Sequence, residues 1–237
     1  MKTVSDSKRA FYAAYPRPIN SIYRRVIEEL LVEMHLLSVN ADFKPDPIYY
    51  LGIVTSFERF MQGYDPEGDQ EKIFNALCTS TDADPQMYKS QAGTLLSFAK
   101  DKSTSDLVAW LSNPEAEGDT GYIVDPIKAI SGNKSFKYSR SFAIGIYTLL
   151  EESDSELVKD QDKRNEILDT IIENFGLTGD KMKKDLELYR GNLEKMTQLL
   201  KVIEDVLEAS RKQREKREQE KQNGTDETKE VEEATAE

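Results

Sequence analysis

His35 is the only histidine in 237 residues, and it follows the acidic positions Glu28, Glu29 and Glu33. A histidine among carboxylates is raw material for metal ligation or general acid–base chemistry. The spacing assembles neither. On a helix, partners lie three or four residues apart. Glu33 is two residues from His35 and Glu29 is six. Val32 occupies the position three before the histidine, so no Glu-x-x-His metal motif exists, and no second histidine completes a ligand set. His35 therefore reads as a packed or boundary residue of an amphipathic helix.

The other reactive residue types give equally plain readings. Arg24, Arg25, Glu28 and Glu29 stand in i, i+4 register. That pattern makes either a solvated ion-paired face, at ~0.2–0.5 kcal/mol per pair, or a docking surface beside the turn "YPRPIN". Cys78 lies among Ile73, Phe74 and Leu77 and reads as a small core residue. As the only cysteine, it allows no intrachain disulfide and no thiolate zinc cluster. Trp110 beside Leu111 reads as core. Gly118 and Gly121 are not followed by Gly-Lys-Ser/Thr, so no phosphate-binding loop is present. The sequence thus predicts no catalytic, cofactor-binding or metal-ligating residue, and no cofactor. A hydrolase built on carboxylates alone is the one enzymatic alternative, and only the abundance of Asp and Glu supports it.

The elements that carry these residues are helical. Asp46-Pro47, Asp65-Pro66, Asp84-Pro85 and Asp125-Pro126 repeat one dipeptide. Asp is a favoured N-cap and Pro suits the first helical position, which predicts helix starts near 47, 66, 85 and 126. Asn113-Pro114 reads as another start or as a turn. Apolar residues recur at helical spacing over 19–38, after Pro47, after Pro85, and over 139–152 and 155–175. Gly63 and Gly176 are placed as C-caps. Residues 112–135 read as the irregular stretch. No segment alternates with period two.

From Met182 the steps alternate four and three through Leu186, Tyr189, Leu193, Met196, Leu200, Ile203 and Leu207. This is a heptad stripe. Leu199 and Val206 widen it, which favours packing against the body as well as against a partner. Ser210 and Arg214 end it. Residues 211–221 carry six Lys/Arg against three Glu without aromatic interleaving, which reads as an exposed mixed-charge helix. The expected organisation is all-α: a compact multi-helix body over 1–180, a long coiled-coil-like C-terminal helix over 181–222, and a disordered acidic tail over 223–237. A monomer is expected, with a coiled-coil dimer as the alternative.

Composition narrows the partners. The formal net charge is −12, with 44 Asp and Glu against 32 Lys and Arg. Such a chain is repelled by nucleic-acid phosphates and by anionic lipid headgroups. The most apolar window, Phe142 to Leu150, is far shorter than the ~20 residues a spanning helix needs. The first residues, "MKTVSDSKRAF", lack the apolar run of a secretory signal.

Four segments carry a resemblance: "TVSDSKRAFY", "RPINSIYRRVIEELLVEMHLLSVNADF", "PIYYLGIVTSFERFMQGY" and "KYSRSFAIGIYTLLE". They resemble the signature segments of the thylakoid-formation family, also called photosystem II biogenesis proteins, and the likeness runs through most of residues 3–200. The resemblance implies a non-enzymatic auxiliary protein of cyanobacteria or plastids. Such a protein supports thylakoid membrane biogenesis and photosystem II assembly and repair, and it binds and maintains the thylakoid FtsH protease. It implies no catalytic residues to transfer. It places the chain at the cytoplasmic side of the thylakoid membrane, peripheral or soluble. With no transit peptide ahead of the motif, the expectation is a cyanobacterial-type member or a processed plastid one. A scaffold of the thylakoid surface without a protease client is the alternative.

Overall fold

Asp46 and Asp84 start helices as their Asp-Pro pairs predict. Asp46 is extended (φ −130°, ψ 164°), and its Oδ1 accepts from the amides of Ile48 and Tyr49, each at 2.9 Å. Asp84 accepts from the amide of Gln86 at 2.9 Å. Pro47 and Pro85 take the first helical positions, where a missing N–H is harmless. The structure, a computed structural model, describes residues 2–66, 68–115, 121–131, 133–177 and 179–234, without the side chains of Arg214 and of 216–234. Among the described residues there are ten α-helices, one 3-10 turn and no strand. The helices are α1 (Val4–Ala14), α2 (Ser21–Ser38), α3 (Pro47–Phe60), α4 (Asp69–Ser80) and α5 (Pro85–Lys100), followed by α6 (Thr104–Ser112), α7 (Gly121–Lys128), α8 (Arg140–Ser153), α9 (Gln161–Phe175) and α10 (Gly179–Ala234).

Two of the expected starts move. Helix α4 begins at Asp69 rather than Pro66, with Gly68 as its N-cap and no side-chain cap bond. The Asp69 carboxylate is drawn in by Tyr15, Arg17 and Lys72, at 2.9, 2.8 and 2.6 Å, and this places the first turn three residues late. Pro126 lies inside α7, not at its start. Ile123, Val124 and Ile127 are all buried, so apolar spacing carries the helix across the proline at the loss of one backbone bond. The stretch 112–135 is therefore not wholly irregular, although 116–120 and Gly132 fall outside the described residues. Gly63 (φ 72°) and Gly176 (φ 66°) adopt the left-handed conformation that helix ends favour.

The centre of the fold is the pairing of α3 with α8, and α5 also packs on α3. Every residue of α3 from Pro47 to Phe57 is buried. An amphipathic stripe was expected here, but this stretch is buried all round, Thr55 and Ser56 included, because neighbouring helices cover it. Two glycines permit the approach. A Cβ on Gly52 would lie 1.7 Å from the carbonyl oxygen of Ser141, and one on Gly145 would lie 2.0 Å from that of Ile48. Cys78 is fully buried as expected, and burial pushes its thiol up to about 12.

The chain divides into two compact units, 1–191 and 192–237. Within the first, Met182, Leu186 and Tyr189 of the heptad stripe are buried. Within the second, Leu199, Val202, Ile203, Val206 and Leu207 are exposed, Leu207 by 64%. The last residues of the expected disordered tail, 235–237, lie outside the described residues.

Candidate functional site: a groove along helix α2

Helix α2 has two working faces, and the apolar stripe makes the first. Tyr23, Ile27, Leu30, Leu31 and Met34 are buried, and Asn20 caps the helix by accepting from the amide of Ile22 at 3.1 Å. His35 belongs to this inner face. It is buried, and its Nδ1 lies 2.9 Å from the hydroxyl of Ser7 on α1, which is fully buried too. The histidine therefore joins α1 to α2, as a packed residue. Among the described residues no group of three His, Cys, Asp or Glu is placed to hold a metal ion.

The outer face of α2 lines an open groove of about 850 Å³ within the first unit. Lys8 of α1 closes one side. Tyr138, Ser139 and Arg140 at the start of α8, with Lys181 and Asp185 of α10, close the other. The N-terminus of α8 is held by Glu33 of α2: Glu33 Oε1 accepts from the amide and the hydroxyl of Ser141, at 2.9 and 2.8 Å. A carboxylate is stabilised there by free amides and by the helix dipole. Arg140 adds an ion pair with Glu33 at 3.5 Å. The glycine crossing of α3 and α8 thus sets where Ser141 stands, and Ser141 sets where α2 lies.

The predicted i, i+4 charge pairs form only by half. Arg25 meets Glu29 at 3.1 Å. Arg24 does not pair with Glu28, because α1 captures that carboxylate. Lys8 Nζ donates to Glu28 at 2.8 Å and Tyr12 Oη at 2.9 Å. These bonds hold Glu28 below the usual carboxylate range. On the opposite wall Tyr138 donates to Asp185 at 2.8 Å, and Lys181 sits 5.0 Å over the Tyr138 ring. Burial and the nearby carboxylate raise the Tyr138 phenol well above its ordinary value. Between these walls Val32, Leu36 and Leu37 supply an apolar strip, with Leu36 56% exposed.

Arg24, Arg25, Glu28 and Glu29 were legible as a candidate docking surface, and the structure brings all four to the groove. Lys8, Tyr138, Arg140, Lys181 and Asp185 were not singled out. They come from three other elements, and only the segment "KYSRSF", with its cations beside a helix cap, hinted at them. The turn "YPRPIN" is fixed elsewhere, by Tyr15 and Arg17 on Asp69. Lys72 above all, with Tyr15 and Arg17, holds the Asp69 carboxyl down to about 2. The groove thus combines charges, an apolar strip and carboxylates already bound by neighbouring donors.

Comparison with known proteins gives a consistent answer. The family model described as thylakoid formation protein matches residues 3–218. Protein Thf1 of Trichormus variabilis is 54% identical over 213 residues, covering 90% of this chain and 91% of that protein. Protein Thf1 of Crocosphaera subtropica is 55% identical over 213 residues, covering 90% of this chain and 87% of that protein. A solved structure of Psb29 is similar with a TM-score of 0.78 at 42% identity, covering 90% of this chain and 99% of that one. Among the described residues no helix is long and apolar enough to cross a membrane. An all-helical chain that matches this family over most of its length belongs to the thylakoid formation protein family.

Proposed function

We propose that this protein acts without catalysis in thylakoid membrane biogenesis and in photosystem II assembly and repair, by binding and maintaining the thylakoid FtsH protease. Family membership carries the thylakoid role. The observation that supports a binding role is the α2 groove, whose carboxylates are engaged by neighbouring donors while Leu36, Arg24 and Lys181 face outward. The serine hydroxyl that meets the His35 ring, that of Ser7, is fully buried, so this pair offers no nucleophile to a substrate. The protein works at the cytoplasmic face of the thylakoid, peripherally and through a protein partner. Its net charge of −12 opposes direct adsorption on anionic lipid.

The test is capture from solubilised thylakoid membranes by the tagged protein, full-length and cut after Leu207, read by mass spectrometry. FtsH subunits retained by both forms are the expected result. Capture by the full-length form alone would move the contact to residues 208–237. Capture by neither would remove the protease from the reading.

A second reading is favoured by one observation. Leu199, Val202, Val206 and Leu207 expose an apolar stripe at helical spacing. A coiled-coil scaffold would cover it with a second copy. Light scattering across a hundredfold concentration range tests this, and a monomer throughout would dismiss it.

A further inference from the structure

The groove carries a local charge that contrasts with the chain. Its carboxylates are already engaged, as described above. Arg24 and Lys181 are exposed and meet no carboxylate at ion-pair distance among the described residues. In a chain of net charge −12, that leaves a cationic rim. The rim borders the apolar strip of Val32, Leu36 and Leu37. Arg24 and Leu36 are twelve residues apart on one helix, which at ~1.5 Å per residue is ~18 Å. An occupant that reaches both must therefore be several turns long and carry acidic side chains beside an apolar face.

We propose that the α2 groove binds an acidic amphipathic helix of a partner protein, with its Asp and Glu side chains on Arg24 and Lys181 and its apolar face on Leu36. Helix-in-groove recognition uses this combination of anchors at i, i+4 spacing and flanking charge. An anionic bilayer offers the same chemistry but would also meet the negative charge over the rest of the molecule. A single acidic helix meets only the rim. The inference deepens the binding role proposed above by naming the partner's chemistry, and it rests on that role. Its test uses no protease, so the two ideas fail separately.

The experiment is selection of a random 16-residue peptide library, displayed on phage, against the immobilised full-length chain. Fluorescence anisotropy of the enriched peptides follows, with Arg24→Glu/Arg25→Glu, Lys181→Glu and Leu36→Glu. All four positions are solvent-facing, and circular dichroism confirms that each variant folds. Enriched peptides are expected to carry two or more Asp or Glu beside an apolar stripe. Their affinity is expected to fall at least tenfold in each variant and to weaken with added salt. Basic or uncharged enriched peptides would overturn the proposal, as would acidic ones that bind the variants like the parent, or no enrichment. If vesicles containing phosphatidylglycerol bind the parent but not Arg24→Glu/Arg25→Glu, and no peptide is enriched, the groove belongs to lipid headgroups and the proposal fails.

Discussion

The α3–α8 crossing and the α2 groove are built on opposite terms. At the crossing, specificity comes from what is missing: two glycines allow one backbone to touch another, and every residue of α3 from Pro47 to Phe57 is sealed. Along the groove, specificity comes from groups added at the surface, in ion pairs and hydrogen bonds between half-exposed side chains. The first region tolerates almost no added atom. The second consists of contacts that each contribute little, since exposed pairs contribute ~0–1 kcal/mol. The difference teaches how one molecule can combine a frame fixed by backbone contact with a surface held by many small contacts. The link between them is narrow: Ser141 touches Gly52 on one side and Glu33 on the other.

The sharpest way to break this contrast is Gly52→Ala. The added carbon meets backbone, so neither α3 nor α8 yields cheaply. A loss of more than ~3 kcal/mol is expected. Urea unfolding measures it, and a loss below ~1 kcal/mol would mean that the crossing relaxes.

The next effect lies at the start of α3. Burial of Asp46 pushes its carboxyl from 3.8 up to about 7, against the pull of its two amide donors. The unfolded chain releases this proton near pH 4, whereas the folded one holds it until about pH 7. The contribution is thus fully present below pH 4 and declines as pH rises through about 7. Between pH 5 and pH 7 the parent should lose ~2 kcal/mol relative to Asp46→Asn, which keeps the cap acceptor and cannot ionise. Paired denaturation curves at several pH values test the slope. Parallel curves would show that Asp46 is ionised throughout.

Ser7→Ala comes third. It leaves the Nδ1 of His35 buried without its partner, and ~1–3 kcal/mol should be lost. Adding His35→Leu should recover part of this, because the unpaired polar atom is then gone. A double variant worse than the single one would show that His35 has another essential partner.

The smallest effect is expected at the groove. A double-mutant cycle on Arg25 and Glu29 should give ~0.3–0.5 kcal/mol of coupling, vanishing in high salt. A coupling above ~1 kcal/mol would mean that the rim is as constrained as the core.

Much of the frame was legible from local rules. The inner stripe of α2, the Asp46 and Asp84 caps and the left-handed glycines follow from spacing and side-chain chemistry within a few residues. Pro66 and Pro126 were misplaced for non-local reasons. Tyr15 and Arg17, more than fifty residues away, claimed Asp69, and burial of Ile123 and Ile127 overrode a proline. The candidate site was half legible. The Arg24–Glu28 pair had the right register, and a lysine and a tyrosine of α1 took the carboxylate instead.

By itself, then, the sequence determined most of the helices, the caps at Asp46 and Asp84, the core position of Cys78, and the absence of ligand spacing around the histidine. These depend on periodicities of three to four residues, which any window of the chain displays. The tertiary structure alone decided that α3 is enclosed on all sides and that Gly52 and Gly145 are contact points. It alone decided how the heptad stripe divides, with Met182, Leu186, Tyr189 and Met196 buried and Ile203 and Leu207 exposed. It also decided which carboxylates of α2 are taken by other helices. Those outcomes depend on which distant backbone or side chain arrives at a position, and no local spacing encodes that arrival.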